Sequence, residues 1–279
     1  MNIISKLFPG QRIVKKRSLT GGDINQTSYI QLDSHLEIVM KYNPQPPPKV
    51  FEIEAKSLLQ LSQNGLPVPE VLGYDEEHLI LKYYPPGYAN PAFETQAGES
   101  LARLHLTEPK PPGLDFNNYI GTLPQSNKPY NSWVQFFIYE RILPQLNLAK
   151  QANLTQPEEL KIFSKFIKIL PNLIPEMHEG PLLHGDIWKG NVMALQDNTV
   201  LFIDPAIYYG SPEMDLAFSQ MFYSFGNKFY EAYHSIKPIE KEFSKRKDIY
   251  NIYPQLCHTN LFSNRTYLNT ALNTIQQYL

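Results

Sequence analysis

A single cysteine, Cys257, stands among 279 residues. No disulfide can form within the chain, which suits a reducing cytoplasm. No apolar stretch is long enough to cross a bilayer. The start, Met1 to Lys6, lacks the apolar core and small-residue cleavage site of a signal peptide. Basic runs do not exceed Lys15-Lys16-Arg17 and the formal net charge is −2, so neither nucleic acid nor a membrane surface is expected as a partner. Internal repeats and low-complexity tails are missing too. Apolar residues make up 42% and charged residues 19%, the balance of a soluble globular protein. The length allows one large domain or two lobes. Prolines, 24 in all, cluster in connectors and read as loop chemistry.

The chemistry concentrates in Leu183-His184-Gly185-Asp186-Ile187-Trp188-Lys189-Gly190-Asn191 and in Asp204. An Asp followed five residues later by an Asn is the spacing of a phosphoryl-transfer catalytic loop. Asp186 is the candidate acceptor of a hydroxyl proton. Asn191 and Asp204 are the candidate Mg²⁺ ligands against ATP phosphates. Val192-Met193-Ala194-Leu195 and Thr199-Val200-Leu201-Phe202-Ile203 read as two strands around an Asp197-Asn198 turn. A two-residue loop there puts Asn191 opposite Asp204, roughly 5 Å apart at Cβ. A slip of one residue sends them to opposite faces. Each residue alone has an ordinary reading, with Asp186 as a helix cap and His184 as a satisfied core histidine. The joint pattern favours the site.

Upstream, residues 11–20 and Gln26–Leu32 read as strands joined by Gly21-Gly22-Asp23-Ile24-Asn25. Glycines there let backbone N–H groups approach phosphate oxygens, which makes Gly21 and Gly22 candidates for ATP binding. The turn lacks the G-x-G-x-x-G spacing of protein kinases. His35–Tyr42 alternates as a strand ending near Lys41, which is placed like a phosphate-contacting lysine. After a proline connector, residues 50–61 form a helix with Val50, Phe51, Ala55, Leu58, Leu59 and Leu61 inward. Glu54 falls beside that stripe and Glu52 off it, so Glu54 is expected to pair with Lys41. Val71–Tyr74 and His78–Tyr83 form a hairpin, and the backbone near Leu81 to Tyr83 would meet adenine. Tyr84-Pro85-Pro86-Gly87 then breaks the pattern. Five strands and one helix before residue 84 predict a small nucleotide-binding lobe, residues 1–84, ahead of a larger helical lobe, residues 85–279.

In the second lobe, Phe93–Leu106 is predicted helical with Leu101, Leu104 and Leu106 inward and His105 structural. Residues 113–121 read as a polar-aromatic loop with no evident role. Residues 132–148 and 160–170 read as helices, the second closed by Pro171. Ser211-Pro212 starts a helix. Asp215 in its first turn is either a dipole residue or a brace behind the catalytic loop. Trp188 stands where protein kinases usually carry lysine, two places after the Asp. Its flat ring suits a sugar, so Trp188 is the candidate substrate contact, weighed equally against a packing role.

The segments His184-Gly185-Asp186-Ile187-Trp188-Lys189-Gly190-Asn191, Ile203-Asp204-Pro205-Ala206 and Glu213-Met214-Asp215-Leu216-Ala217 resemble the fructosamine kinase (ketosamine-3-kinase) family. Gly21 to Asn25, Gly113 to Gly121 and Trp133 to Arg141 fit it as well. The resemblance implies an α+β, bilobal, protein-kinase-like fold. It implies ATP-dependent phosphorylation at O3 of a ketosamine, either a small molecule or a glycated protein lysine. The phosphate makes a good leaving group near the carbonyl, so the adduct falls apart and frees the amine, which is deglycation. It carries over Asp186 as base, Asn191 and Asp204 as metal ligands, Lys41 and Glu54 as the phosphate-positioning pair, and Asp215 as loop brace. Members with a cysteine in the glycine-rich turn can link through it. Here Asp23 stands in that place, and both monomer and homodimer remain open. The alternatives are a kinase of another small alcohol, such as an aminoglycoside or choline, and a non-catalytic nucleotide-binding regulator.

Overall fold

The computed structural model describes residues 3–19, 25–222 and 224–279. Gly21, Gly22 and Asp23 lie outside the described residues. After a short helix α1 (Ile3–Leu7) come strands β1 (Ile13–Ser18), β2 (Gln26–Leu32) and β3 (Glu37–Tyr42), helix α2 (Val50–Gln63), and strands β4 (Val71–Tyr74) and β5 (His78–Lys82). The five strands make one antiparallel sheet in the order β1-β2-β3-β5-β4.

Strand alternation sorts side chains onto the two faces of this sheet. Ile38, Met40 and Ile80 join Ile30, Leu32, Ile3 and Ile4 beneath α1. Val39, Leu79 and Leu81 pack against Phe51, Ala55 and Leu58 of α2. Lys41 shares the second face and meets α2 there. The α2 stripe differs from expectation at one place. Leu59 is 57% exposed, because at about 100° per residue it stands well off the line through Phe51, Ala55 and Leu58. Helix α1 has no counterpart in the sequence reading.

The rest is mainly helical, around one large core that includes Trp133, Phe136, Phe166, Tyr208, Tyr250 and Leu268. Helix α3 (Phe93–Leu104) precedes a small hairpin, β6 (Asn118–Ile120) and β7 (Leu123–Gln125). Leu106 lies past the end of α3 and is 57% exposed, not inward. The helix expected over 132–148 is α4 (Trp133–Phe136), a π-helical segment Phe137–Ile142, and α5 (Leu143–Gln151) in one run. Ser132 caps it by accepting from the Gln135 N–H at 3.1 Å. The wider π turn sets Arg141 inward, fully buried. Helix α6 (Pro157–Ile169) runs into a 3₁₀ turn at Leu170–Asn172, so Pro171 sits inside that turn.

Strand β8 (Leu182–Leu183) leads to the candidate catalytic loop, then to β9 (Val192–Ala194) and β10 (Val200–Phe202). Strand β11 (Tyr208–Tyr209) pairs back onto β8. Among the described residues the chain ends in helices α7 (Glu213–Phe218), α8 (Asn227–Ile236), α9 (Phe243–Tyr250), α10 (Ile252–Phe262) and α11 (Arg265–Gln276). Among the described residues no helix is long and apolar enough to cross a membrane.

Candidate active site

The β9–β10 hairpin corrects the expected register. Val200 pairs with Ala194, Leu201 with Met193 and Phe202 with Val192. The Leu195 N–H donates to the Thr199 carbonyl at 2.9 Å, and the Asn198 N–H to the Leu195 carbonyl at 3.0 Å. The loop is therefore the three residues Gln196, Asp197 and Asn198, with Asn198 left-handed at φ 64°. That is the three-residue form closed by an αL residue, not a two-residue turn. Ile203 donates to the Asn191 carbonyl at 3.0 Å, so Asn191 faces Ile203 rather than Asp204.

Asp204 escapes the parity rule because it has left the extended conformation, with φ 55°. A non-glycine residue held there is strained by about 1–3 kcal/mol and needs its surroundings to impose it. Its carboxylate meets Lys41, whose ammonium also lies 2.5 Å from Glu54 Oε1. One cation from β3 thus links α2 to the segment after β10. Burial opposes the Lys41 charge, but Asp204 and Glu54 outweigh it and raise the pKa above the ordinary lysine value. Burial raises the Glu54 pKa against the pull of Lys41.

The catalytic loop is held from beneath. Asp215, 1% exposed, accepts the His184 N–H at 2.8 Å and the Gly185 N–H at 2.9 Å. His105 Nε2 lies 3.1 Å from the same carboxylate, and its Nδ1 2.8 Å from the Tyr233 hydroxyl. Donation from Nε2–H to the carboxylate leaves Nδ1 to accept from Tyr233. His184 Nε2 meets the Ile203 carbonyl at 3.1 Å, tying the loop to the end of β10. Gly185 has φ 82°, and a Cβ on it would stand 2.0 Å from the Ala206 carbonyl oxygen. The loop and the chain after Asp204 therefore touch backbone to backbone.

Asn191 Nδ2 donates to the Asp186 carbonyl at 2.8 Å and to Asp186 Oδ2 at 3.1 Å. Its Oδ1 is then the acceptor left to face the site. Burial, then the charge of Asp204, push the Asp186 carboxyl up to about 8, against the Asn191 hydrogen bond. Asp186 and Asp204 thus sense each other, and the site is short of positive charge. A divalent cation fits this donor set: Asn191 Oδ1 and Asp204 are hard oxygen donors, and Mg²⁺ takes one or two such protein groups besides phosphates and water. Among the described residues no group of three or more His, Cys, Asp or Glu stands together as a metal cluster.

Trp188 is half-buried and its ring lies across Gly190, where a Cβ would come within 2.2 Å of ring carbon. Lys189 turns away to Glu94 of α3, at 2.9 Å, and Glu94 Oε1 also accepts the Gly226 N–H at 3.0 Å. Leu81 is buried in the sheet, and the Tyr83 N–H donates to the Glu37 carbonyl at 3.1 Å. Tyr83 also meets Arg17 through its hydroxyl, at 3.2 Å. Of the expected adenine-facing stretch, the Tyr83 N–H is therefore engaged within the sheet. A cavity of about 450 Å³ bordered by Tyr84, Arg103 and Leu201 contains none of the candidate site residues.

The sequence reading missed a set of buried amides. Asn118 and Gln125 are opposed across the β6–β7 hairpin. Asn118 Nδ2 donates to the Ile207 carbonyl at 2.8 Å, and Gln125 Nε2 to the Ala206 carbonyl at 3.1 Å. The available signal was Gly121-Thr122 between Asn118-Tyr119-Ile120 and Leu123. Gly121 at φ 60° occupies the first central position of the turn.

The fructosamine kinase family model matches residues 2–279. A Vibrio parahaemolyticus protein assigned as a ketoamine kinase is 36% identical over 276 residues, 96% of this chain and 93% of that one. The chloroplastic protein-ribulosamine 3-kinase of Arabidopsis thaliana is 31% identical over 280 residues, 96% of this chain and 83% of the plant protein. A solved structure assigned as a fructosamine-3-kinase, from Thermobifida fusca, superposes with a TM-score of 0.89 at 26% identity, covering 98% of this chain and 96% of that one. The gentamicin complex of APH(2″)-IIa superposes with a TM-score of 0.66 at 17% identity, covering 99% and 94%, a likeness of fold alone.

Proposed function

We propose, for a chain that belongs to the fructosamine kinase family and is an ATP-dependent kinase of a sugar hydroxyl, that its acceptor is O3 of a ketosamine and that the reaction leads to deglycation. The observation that carries this reading is the convergence on Asp186. Asn191 bonds its carboxylate, and burial, then the charge of Asp204 on the segment that Lys41 grips, raise its pKa.

Asp186, in its ionised form, takes the hydroxyl proton as the oxygen attacks the γ-phosphorus and the bond from that phosphorus to the bridging oxygen breaks, releasing ADP. Lys41, oriented by Glu54, positions the phosphates of ATP. Asn191 and Asp204 would hold Mg²⁺, which supplies charge neutralisation on the phosphoryl oxygens when bound. Asp215 keeps the loop in register through the His184 and Gly185 amides. Trp188 offers its ring as a platform for the sugar. The O3 phosphate then sits on C3, next to the C2 carbonyl: loss of a C1 proton gives the enaminol, the enaminol expels phosphate from C3, and hydrolysis of the resulting C1 imine releases the amine. The amine is free or lies on a glycated protein lysine. We divide the chain into a nucleotide-holding part, residues 1–84, and a catalytic part, residues 85–279. The one cysteine is buried, which suits the cytoplasm as the place of reaction.

The test is a coupled ADP assay with fructosyl-lysine and ribosyl-lysine and Mg-ATP, with the product located by phosphorus NMR. A phosphate at O3 followed by release of lysine is the expected result. Turnover only on an aminoglycoside or on choline in the same screen would overturn the reading.

A further inference from the structure

The chain path after Asp204 is gripped by side chains that belong to neither the catalytic loop nor the nucleotide-facing sheet. We propose that Asn118 and Gln125 are positioning residues for Asp204, and that the buried guanidinium of Arg141 fixes their polarity. This rests on the reading of Asp204 as a cation holder.

Three observations carry it. First, the carbonyls of Ala206 and Ile207, two and three residues beyond Asp204, accept from Gln125 and Asn118. The Ala206 N–H meanwhile donates to the His184 carbonyl at 2.9 Å. The strained Asp204 is therefore followed at once by backbone clamped from both sides.

Second, the hydrogen bonds have one direction only. A guanidinium cannot accept. Arg141 Nη2 donates to Asn127 Oδ1 at 2.7 Å, so Asn127 must turn its amide toward Asn118 Oδ1, at 2.8 Å. Asn118 must then present Nδ2 to Ile207. Gln125 follows: its Nε2 faces two acceptors, Asn118 Oδ1 and the Ala206 carbonyl, which leaves its Oε1 to accept from the Tyr253 hydroxyl at 2.5 Å.

Third, the network is dry. Asn118, Gln125, Asn127, Arg141 and Tyr253 are each at most 3% exposed. The Arg141 guanidinium stacks over the Tyr208 ring, 3.9 Å from its centre, and over the Phe136 ring, 4.5 Å from its centre. An amide that turned over here would bury a carbonyl against a carbonyl. A side chain that acts behind a metal ligand in this way typically tunes metal affinity about 10–100-fold.

The experiment measures Mn²⁺ binding by electron paramagnetic resonance, in the presence of a non-hydrolysable ATP analogue, alongside kcat and KM. Asn118→Asp keeps the volume and removes the donor to Ile207. Folded Asn118→Asp is expected to weaken Mn²⁺ binding about 10–100-fold and to lower kcat, with KM for the ketosamine little changed. Tyr253→Phe removes the donor to Gln125 Oε1 and leaves that oxygen buried without its partner, which loosens the side chain that holds Ala206, and is expected to weaken Mn²⁺ about tenfold, the low end of that range. It decides the matter if Asn118→Asp does not fold. Wild-type Mn²⁺ affinity in folded Asn118→Asp, or in Tyr253→Phe when that variant decides, overturns the proposal. Asp204→Ala runs in parallel. If it keeps Mn²⁺ binding and turnover, the reading of Asp204 itself has failed. If it loses both while the network variants behave as wild type, only the present inference has failed.

Discussion

Lys41 on β3 and Asp204 beyond β10 are 163 residues apart in sequence and joined by a direct ion pair, with Glu54 2.5 Å from the same ammonium. The same two parts of the chain also meet where the Phe202 N–H of β10 donates to the Pro67 carbonyl at 2.8 Å. The sheet side brings a cation already anchored to α2, and the hairpin side brings a carboxylate in a left-handed conformation. One ammonium thus ties the sheet and α2 to the segment after β10, alongside that backbone bond.

Replacement of Lys41 by Met tests that link. It leaves Glu54, 13% exposed at its side chain, and Asp204 without their shared cation. A loss of roughly 1–3 kcal/mol of stability is expected in denaturant titration. Turnover should fall by about 10²-fold or more, since a phosphate-positioning charge is lost. Glu54→Gln should lower turnover less, and the double variant should show a coupling of about 0.5–3 kcal/mol. Additive effects would show that the contact is incidental.

Asp186→Asn removes the proton acceptor and keeps the shape. A fall in kcat of about 10²–10⁴-fold is expected, with the dissociation constant for ADP unchanged in calorimetry. A variant that turns over at the wild-type rate would remove Asp186 from the chemistry.

Much of this arrangement was legible before any coordinates. Alternation in β3 put Lys41 on the face opposite Ile38 and Met40, and the α2 stripe put Glu54 beside it. The hairpin register was not legible. Asp197-Asn198 suits a two-residue turn as well as the last two places of a three-residue one, and only backbone conformation separates them. Asp204 in turn breaks strand parity through its positive φ, which an aspartate does not announce. The π turn at Arg141 shifts the inward face by less than a residue and leaves no mark in a hydrophobic pattern. Asn118 and Gln125 are polar residues in a core, so a search for apolar periodicity passes over them. Leu59 and Leu106 failed the other way, as apolar residues that face solvent.

Gly185→Ala measures the backbone contact between the loop and the segment after Asp204. The added Cβ meets the Ala206 carbonyl at 2.0 Å and the backbone is held at φ 82°. Strain and clash together should cost about 2–4 kcal/mol. Gly10 provides the control. It has φ 81° and nothing within 4 Å of a built Cβ, so Gly10→Ala carries the strain alone. A larger loss of melting temperature at 185 than at 10 is the expected result. Equal losses would show that the Ala206 contact can relax.

Groups buried in their neutral forms make stability fall at both ends of the pH range. Burial lowers the His184 pKa, so the unfolded chain gains a proton that the folded one refuses. The neutral imidazole is stabilising above the unfolded value of about 6.5, and that contribution is lost as pH falls below it. Burial lowers His258 as well, which adds to the same limb. Burial pushes the Cys257 thiol and the Tyr208 phenol each up to about 12. Their contribution is complete below the unfolded values of about 8.5 and 10, and is lost as pH climbs toward the folded ones. Urea denaturation across pH should show the acid limb below about 6.5 and the alkaline limb above about 8.5, with a decline between about 3.9 and 8 from Asp186, whose carboxyl burial and then Asp204 push up to about 8. His184→Gln keeps a donor for the Ile203 carbonyl and should flatten the acid limb without touching the alkaline one. An unchanged acid limb in that variant would assign the loss to other groups.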